Sequence, residues 1–216
     1  SSFARGWARA WASRATPYRE LDCTAPGWAI VRLAQRWDDD ALLEAAVGLA
    51  AFLTQRPTIR GLYRTWQHSP LMRPYGGASL SEREAAWVED PPPGAFLDCL
   101  HFDPPFLTVL GRATGSDGLM RAGVSQAVAY AGALQRPDGL FDHFVLDGVD
   151  GSFGPGWGRG QGWALLGLLD VLDELAAAGL DASDDAVALR GSLRRLVATM
   201  VALQRPDGHW YAVVDD

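Results

Sequence analysis

The tripeptide Leu-Asp-Cys occurs at residues 21–23 and again at 97–99, so Asp22 and Asp98 stand 76 residues apart in matching contexts. Further along, residues 157–163 read WGRGQGW and set Trp157, Arg159, Gln161 and Trp163 within one short stretch. A carboxyl group can give and take a proton near neutral pH when a second carboxylate stands close, because like charge opposes ionisation of both. Arginine presents a planar fork of N–H donors that matches a carboxylate, and indole rings supply flat apolar faces. Brought together, these groups compose an acid–base site for a small anionic ligand. His143, in LFDHF, is the candidate imidazole, and Trp66, His68 and Trp210 lie in comparable aromatic stretches.

What must bring them together is a repeat. LQRPDG occurs at 134–139 and at 203–208, and a looser copy, TQRPTIRG, begins at Thr54, so the glutamines fall at 55, 135 and 204. Self-similarity at such a period marks a repeat architecture. Before each copy runs an amphipathic stretch with apolar residues three and four apart, at 40–55, 117–135 and 183–204. Each opens on an aspartate or serine suited to N-capping and stops where proline intervenes. A more apolar helix precedes each one, predicted over 27–37, 104–115 and 162–179. A helix apolar on most sides is buried on most sides. The unit is thus an inner helix, an outer helix, a QRP turn and an aromatic tail, with no sustained strand pattern. Three such hairpins, stacked so that each buries its neighbour's inner helix, predict an all-α chain of helical-hairpin repeats closing toward an α/α toroid. The expectation is one domain over residues 1–216, about three hairpins and so an incomplete ring. In such a stack the tails and the inner-helix starts share one rim, which is where Asp22, Asp98, Trp157, Arg159 and His143 all fall.

Bland uses compete. An aspartate at a helix start is most often an N-cap, worth about 1 kcal/mol. Asp103, directly before Pro104 and Pro105, is the better cap for the second inner helix, which leaves Asp98 without that role. The glycines around Arg159 do not form a dinucleotide fingerprint, since no strand precedes them. With 19 basic and 26 acidic side chains the net charge is −7, which argues against a nucleic-acid binder. No apolar run approaches the roughly 20 residues of a membrane span. Cys23 and Cys99 give neither a disulfide framework nor a metal pattern, so a reducing, cytoplasmic setting is expected and neither metal nor organic cofactor is called for. Nine tryptophans exceed what core filling needs.

The strings LDCLHFDPPFLTVLGRATG, LQRPDGLFDHF and WGRGQGWALLGLLDVLDEL resemble the unsaturated glucuronyl and rhamnogalacturonyl hydrolases, glycoside hydrolase families 88 and 105. They lie in order from Asp22 onward and cover most of the chain. The resemblance implies an (α/α)6 barrel and hydrolysis of a non-reducing Δ4,5-unsaturated uronic acid from lyase-generated oligosaccharides, with a rhamnogalacturonan-type disaccharide expected. It implies Asp98 as general acid/base, Asp22 as the second active-site aspartate, and Trp157, Arg159, Gln161, Trp163 and His143 as residues of the uronate pocket. Asp103 departs from the family pattern, which has a small or apolar residue there. The alternatives are another α/α-barrel carbohydrate enzyme, an ordinary glycosidase or a lyase, and a non-catalytic helical-repeat binding protein.

Overall fold

A computed structural model describes residues 2–14, 24–73 and 79–216. Among them the helices pair as the repeat requires: α2 (Gly27–Trp37) with α3 (Asp40–Thr54), α5 (Asp98–Thr114) with α6 (Asp117–Leu134), and α7 (Gly158–Ala177) with α8 (Asp184–Ala202). The inner helices α2, α5 and α7 pack side by side in that order, and the outer helices back them. α1 (Ser2–Ala12) lies against α3 as α6 lies against α8. A short helix, α4 (Glu82–Glu89), interrupts the connection between the first two hairpins and starts on a Ser81–Glu84 capping box. The central inner helix α5 is the most enclosed, with eleven of its 17 residues buried.

Only α8 begins on the expected cap, Ser183; in α3 and α6 the cap position falls one residue before the expected aspartate, at Asp39 and Ser116. Ser116 caps α6 by accepting the Leu119 N–H, and Ser183 caps α8 by accepting from Ala186. Asp39, at the same place before α3, does not cap with its side chain and takes Arg9 of α1 at 2.9 Å instead.

The repeated QRPDG is a self-bonded turn. In the two full copies the glycine N–H returns to the arginine carbonyl, at 3.0 Å for Gly139 and 2.9 Å for Gly208. The glutamine amide donates to the glycine carbonyl, at 3.0 Å for Gln135 and 2.8 Å for Gln204. The aspartate accepts from the residue after glycine, at 3.0 Å for Leu140 and 3.1 Å for His209. Both glycines have positive φ, +95° and +84°, which a side chain would oppose. Proline stops the outer helix, and the turn throws the chain back onto the rim.

There the tails brace the starts of the inner helices. β3 (Gly94–Phe96), just before α5, pairs antiparallel with β4 (Phe144–Leu146) of the second tail, with Phe96 opposite Phe144, and Leu97 N donates to His143 O at 2.8 Å. In the third unit Trp157 pairs with Val213, and Gly158 N donates to Ala212 O, also at 2.8 Å. In the first, β1 (Thr58–Ile59) and β2 (Leu62–Tyr63) form a hairpin, after which Trp66 bridges to Gly94.

Two inner helices start earlier than their sequence suggests: α5 at Asp98 rather than Pro104, and α7 at Gly158 rather than Gly162. Proline inside a helix removes a hydrogen bond and costs about 3 kcal/mol, so the pair Pro104–Pro105 reads as a helix start. Here both lie in the interior of α5. Pro104 leaves the Leu100 carbonyl without its helical donor, and at that carbonyl α7 makes its close approach: a Cβ on Gly167 would sit 2.3 Å from Leu100 O. The missing bond thus coincides with the tightest packing between inner helices. The expectation that Asp103 caps α5 is corrected by the same geometry. Asp103 is fully buried, and its carboxylate accepts the Thr24 hydroxyl at 2.6 Å, tying α5 to the start of the first hairpin.

Candidate active site

Asp98 is the first residue of α5, placed there by β3, and its carboxylate opens to the rim. His143, the residue before β4, brings Nε2 to 3.4 Å from Asp98 Oδ2, within ion-pair distance. Phe96 packs edge-on against the imidazole with centroids 5.3 Å apart, and the Trp157 ring flanks it at 4.6 Å. The Arg159 guanidinium lies over the Trp157 ring, 4.5 Å from its centroid, a cation–π arrangement that leaves the edge donors outward. Among the described residues no carboxylate lies within ion-pair distance of Arg159, whereas Arg9, Arg32, Arg112, Arg136 and Arg205 are all paired.

These side chains border one cavity of about 480 Å³, completed by Thr65, Trp66, Pro70 and Pro155. That volume is in the range of small-ligand pockets. Its floor is firm. Thr65 Oγ1 accepts the Phe96 N–H at 3.0 Å and sits 3.5 Å from the Cys99 sulfur, next in sequence to Asp98. Below, burial first and then Cys99 and Asp103 hold the Tyr130 hydroxyl well above its ordinary pKa, so it stays neutral.

The arrangement has an internal symmetry. Phe96 opposite Phe144, with Leu97 N on His143 O, matches Trp157 opposite Val213, with Gly158 N on Ala212 O. Asp98 and Arg159 therefore occupy the same position of the repeat in consecutive units, a carboxylate in one and a guanidinium in the next.

The structure brings Asp98, His143, Trp157 and Arg159 onto one cavity. Asp22 lies outside the described residues. Gln161 does not line the cavity, contrary to the expected substrate contact: it is 1% exposed, its Oε1 accepts the Phe141 N–H and its Nε2 donates to the Phe141 carbonyl, each at 2.8 Å. That double bond ties α7 to the second tail and uses the carboxamide up. Trp163 is not among the lining residues either; it stacks on His101 with centroids 5.0 Å apart, and burial holds that imidazole below its ordinary pKa. His68 is exposed, and Trp210 is directed to the Met200 carbonyl at 2.6 Å, away from the cavity. Sequence reasoning missed Phe96, Thr65, Pro70 and Pro155. The signal for Phe96 was present, since aligning the QRPDG tails and pairing them with the helix starts makes it the counterpart of Trp157.

No helix among the described residues is long and apolar enough to cross a membrane, and none of their side chains cluster as a metal site. No curated protein matches the sequence significantly. Solved structures match by fold. A possible member of family GH105 from Klebsiella pneumoniae subsp. pneumoniae MGH 78578 superposes with a TM-score of 0.79 at 16% identity, covering all of this chain and 52% of its own. A possible GH105 member from Salmonella enterica subsp. enterica serovar Paratyphi A str. ATCC 9150 gives 0.78 at 17% identity, again over 100% and 52%. The unsaturated glucuronyl hydrolase of Bacillus sp. GL1 gives 0.71 at 19%, over 100% and 54%. The chain thus spans about half the length of these relatives, and its three hairpins are hairpins of their (α/α)6 barrel. The model of Glycosyl Hydrolase Family 88 matches residues 2–216, and with that the chain belongs to Glycosyl Hydrolase Family 88.

Proposed function

We propose that this cavity binds the non-reducing Δ4,5-unsaturated uronic acid of an oligosaccharide and releases it by hydration of the C4=C5 enol ether. The observation that carries the reading is the convergence of Asp98, His143 and Arg159, which has no ion-pair partner among the described residues, on one aromatic-walled cavity. Arg159 pairs its fork with the uronate carboxylate, and Trp157, Trp66 and Phe96 give the sugar faces to lie on. Asp98 protonates C4, which leaves an oxocarbenium-like centre at C5. Water adds at C5 and gives a proton back to Asp98. The hemiketal so formed opens and frees the leaving sugar. His143 keeps the carboxyl proton directed at the ligand. C1 is never attacked, so the usual pair of glycosidase carboxylates, one acid and one nucleophile, is not needed. Asp22 is the expected second aspartate of this site, and a rhamnogalacturonan-type disaccharide the expected substrate. Membership of the family supports the reaction class, and the Bacillus relative is an unsaturated glucuronyl hydrolase.

The test is a panel of lyase-generated disaccharides followed by the ultraviolet absorbance of the conjugated enol ether. Loss of absorbance, with one sugar released per double bond consumed, is the expected result. A panel on which absorbance never falls, and to which the protein does not bind, would overturn the reading.

A further inference from the structure

Half of residues 151–160 are glycine, so the stretch carrying Trp157 and Arg159 has little of its own to fix it. The N-cap residue Trp157 makes no side-chain cap bond. Phe153 is bridged to the second tail, its carbonyl accepting from His143 N at 2.8 Å and its N–H donating to Phe144 O at 2.9 Å. From Gly156 onward, what holds the stretch comes from the third tail. Val214 N donates to Gly156 O and Gly158 N to Ala212 O, both at 2.8 Å. Between these, the Asp215 carboxylate accepts the Gly156 N–H on Oδ1 at 2.8 Å and the Arg136 guanidinium on Oδ2 at 2.7 Å. Arg136 is in turn held by Asp138 of its own QRPDG turn at 2.8 Å and lies 3.5 Å from Asp142, so the carboxylate has one orientation. Glycine at 156 is required for the approach: a Cβ there would lie 2.5 Å from Asp215 Oδ1.

We infer that Asp215, outside the cavity, is the positioning residue that sets where Trp157 and Arg159 stand, and that the Arg136–Asp215 pair couples the QRPDG turn at 135–139 to the ligand anchor. This rests on the proposed role of Arg159. A mere clasp for the tail would contribute stability alone. A positioning residue governs ligand affinity, because an anchor that binds ground state and transition state alike acts on KM and leaves kcat unchanged.

The experiment compares Asp215→Ala and Asp215→Asn in the 216-residue chain. Without ligand, amide hydrogen exchange at Gly156 and Gly158 is expected to quicken by about tenfold or more in the alanine variant and to stay near wild type in asparagine, whose oxygen still accepts. With an unsaturated glucuronyl disaccharide, KM is expected to rise about tenfold in the alanine variant at near-constant kcat, with asparagine restoring most of it. Unchanged exchange at both glycines, or a fall in kcat at constant KM, would overturn the inference. If wild type turns over no unsaturated uronide, the functional reading fails while the exchange measurement still decides Asp215. Should the alanine variant not fold, Arg136→Gln, which removes the carboxylate's other partner, is expected to give the same exchange pattern, and wild-type exchange in it would count against the inference.

Discussion

Replacing Asp98 with asparagine separates chemistry from architecture at one atom. The side chain keeps its shape and its place as the first residue of α5, but it can no longer carry the transferred proton. General acid–base assistance is typically worth 10²–10⁴-fold in rate, which is about 3–5 kcal/mol of barrier. The structural cost is small. A carboxylate in the first turn of a helix gains about 0.3–1 kcal/mol from the helix dipole. The contact with His143 is between groups each about 30% exposed, and such pairs contribute about 0–1 kcal/mol. The melting temperature should therefore fall by only a few degrees, at about 2–4 °C per kcal/mol for a chain of this size. Asp117 provides the control. It too is the first residue of its helix, so Asp117→Asn loses the same dipole term far from the cavity. Asp103 cannot serve, because it is buried against Thr24 and its replacement would disturb packing. Turnover is followed by loss of enol-ether absorbance, binding by tryptophan fluorescence, and stability by thermal melting. The expected outcome is Asp98→Asn bound but inactive, with Asp117→Asn active and melting alike. Turnover in Asp98→Asn within a few-fold of wild type would refute the assignment.

Arg159→Lys should weaken binding of the unsaturated disaccharide by about tenfold or more while leaving the melting curve in place, since lysine keeps the charge but loses the fork; equal affinity would remove Arg159 as anchor. Gln161→Leu should do the reverse, lowering the melting temperature by several degrees because the Phe141 N–H and C=O are left unpaired in the interior, at about 1–3 kcal/mol for each such group; a melt unchanged from wild type would show the double bond to be dispensable. Acid titration should report the Arg136 cluster. The Arg136 hydrogen bond lowers the pKa of Asp138, and at Asp215 burial works against the charge but the bonds from Arg136 and Gly156 prevail, so both lie below 3.8. Groups with a depressed folded pKa stabilise fully above the unfolded value and lose that contribution as pH falls through the folded one. Wild type should therefore lose stability below the ordinary aspartate range more steeply than Asp215→Asn, and parallel curves would exclude the cluster as the cause.

The hairpins were legible because their information is local. Apolar spacing and a proline stop located α2 and α3 almost to the residue, and Ser183 caps α8 as expected, whereas α6 is capped by Ser116, one residue before the expected Asp117. The starts of α5 and α7 were not legible, because they depend on strands donated by tails dozens of residues away. Pro104 and Pro105 mark a helix start by every local rule, yet the β3–β4 ladder already fixes the chain at Phe96 and the helix grows from there through both prolines. The same long-range pairing misdirected the reading of Gln161. Its place between Arg159 and Trp163 suggests a neighbour of the ligand, but one turn of helix points its carboxamide inward to the backbone of Phe141. Asp98, His143, Trp157 and Arg159 were legible because the repeat assigns them all to one rim.

The repeat also sets the scale of the site. Asp98 and Arg159 are the same position of consecutive units, each preceded by a residue (Leu97, Gly158) whose N–H donates to a tail carbonyl at 2.8 Å. Their separation therefore follows from the spacing of adjacent inner helices, about 8–10 Å between axes, and not from any loop peculiar to the site. On the proposed function one end of that span gives the proton to C4 and the other holds the carboxylate on C5, so the two must reach across a single sugar ring. Side chains of opposite charge extended toward each other from adjacent helices meet that requirement, whereas residues two hairpins apart would not. The tails then supply what differs between units: His143 stands beside Asp98, while its counterpart Ala212 is small, and Trp157 and Arg159 line the cavity. A substitution of Ala212 by histidine should therefore crowd the anchor and leave the acid untouched, raising KM with kcat preserved, and a fall in kcat alone would break the proposed division of labour between the two units.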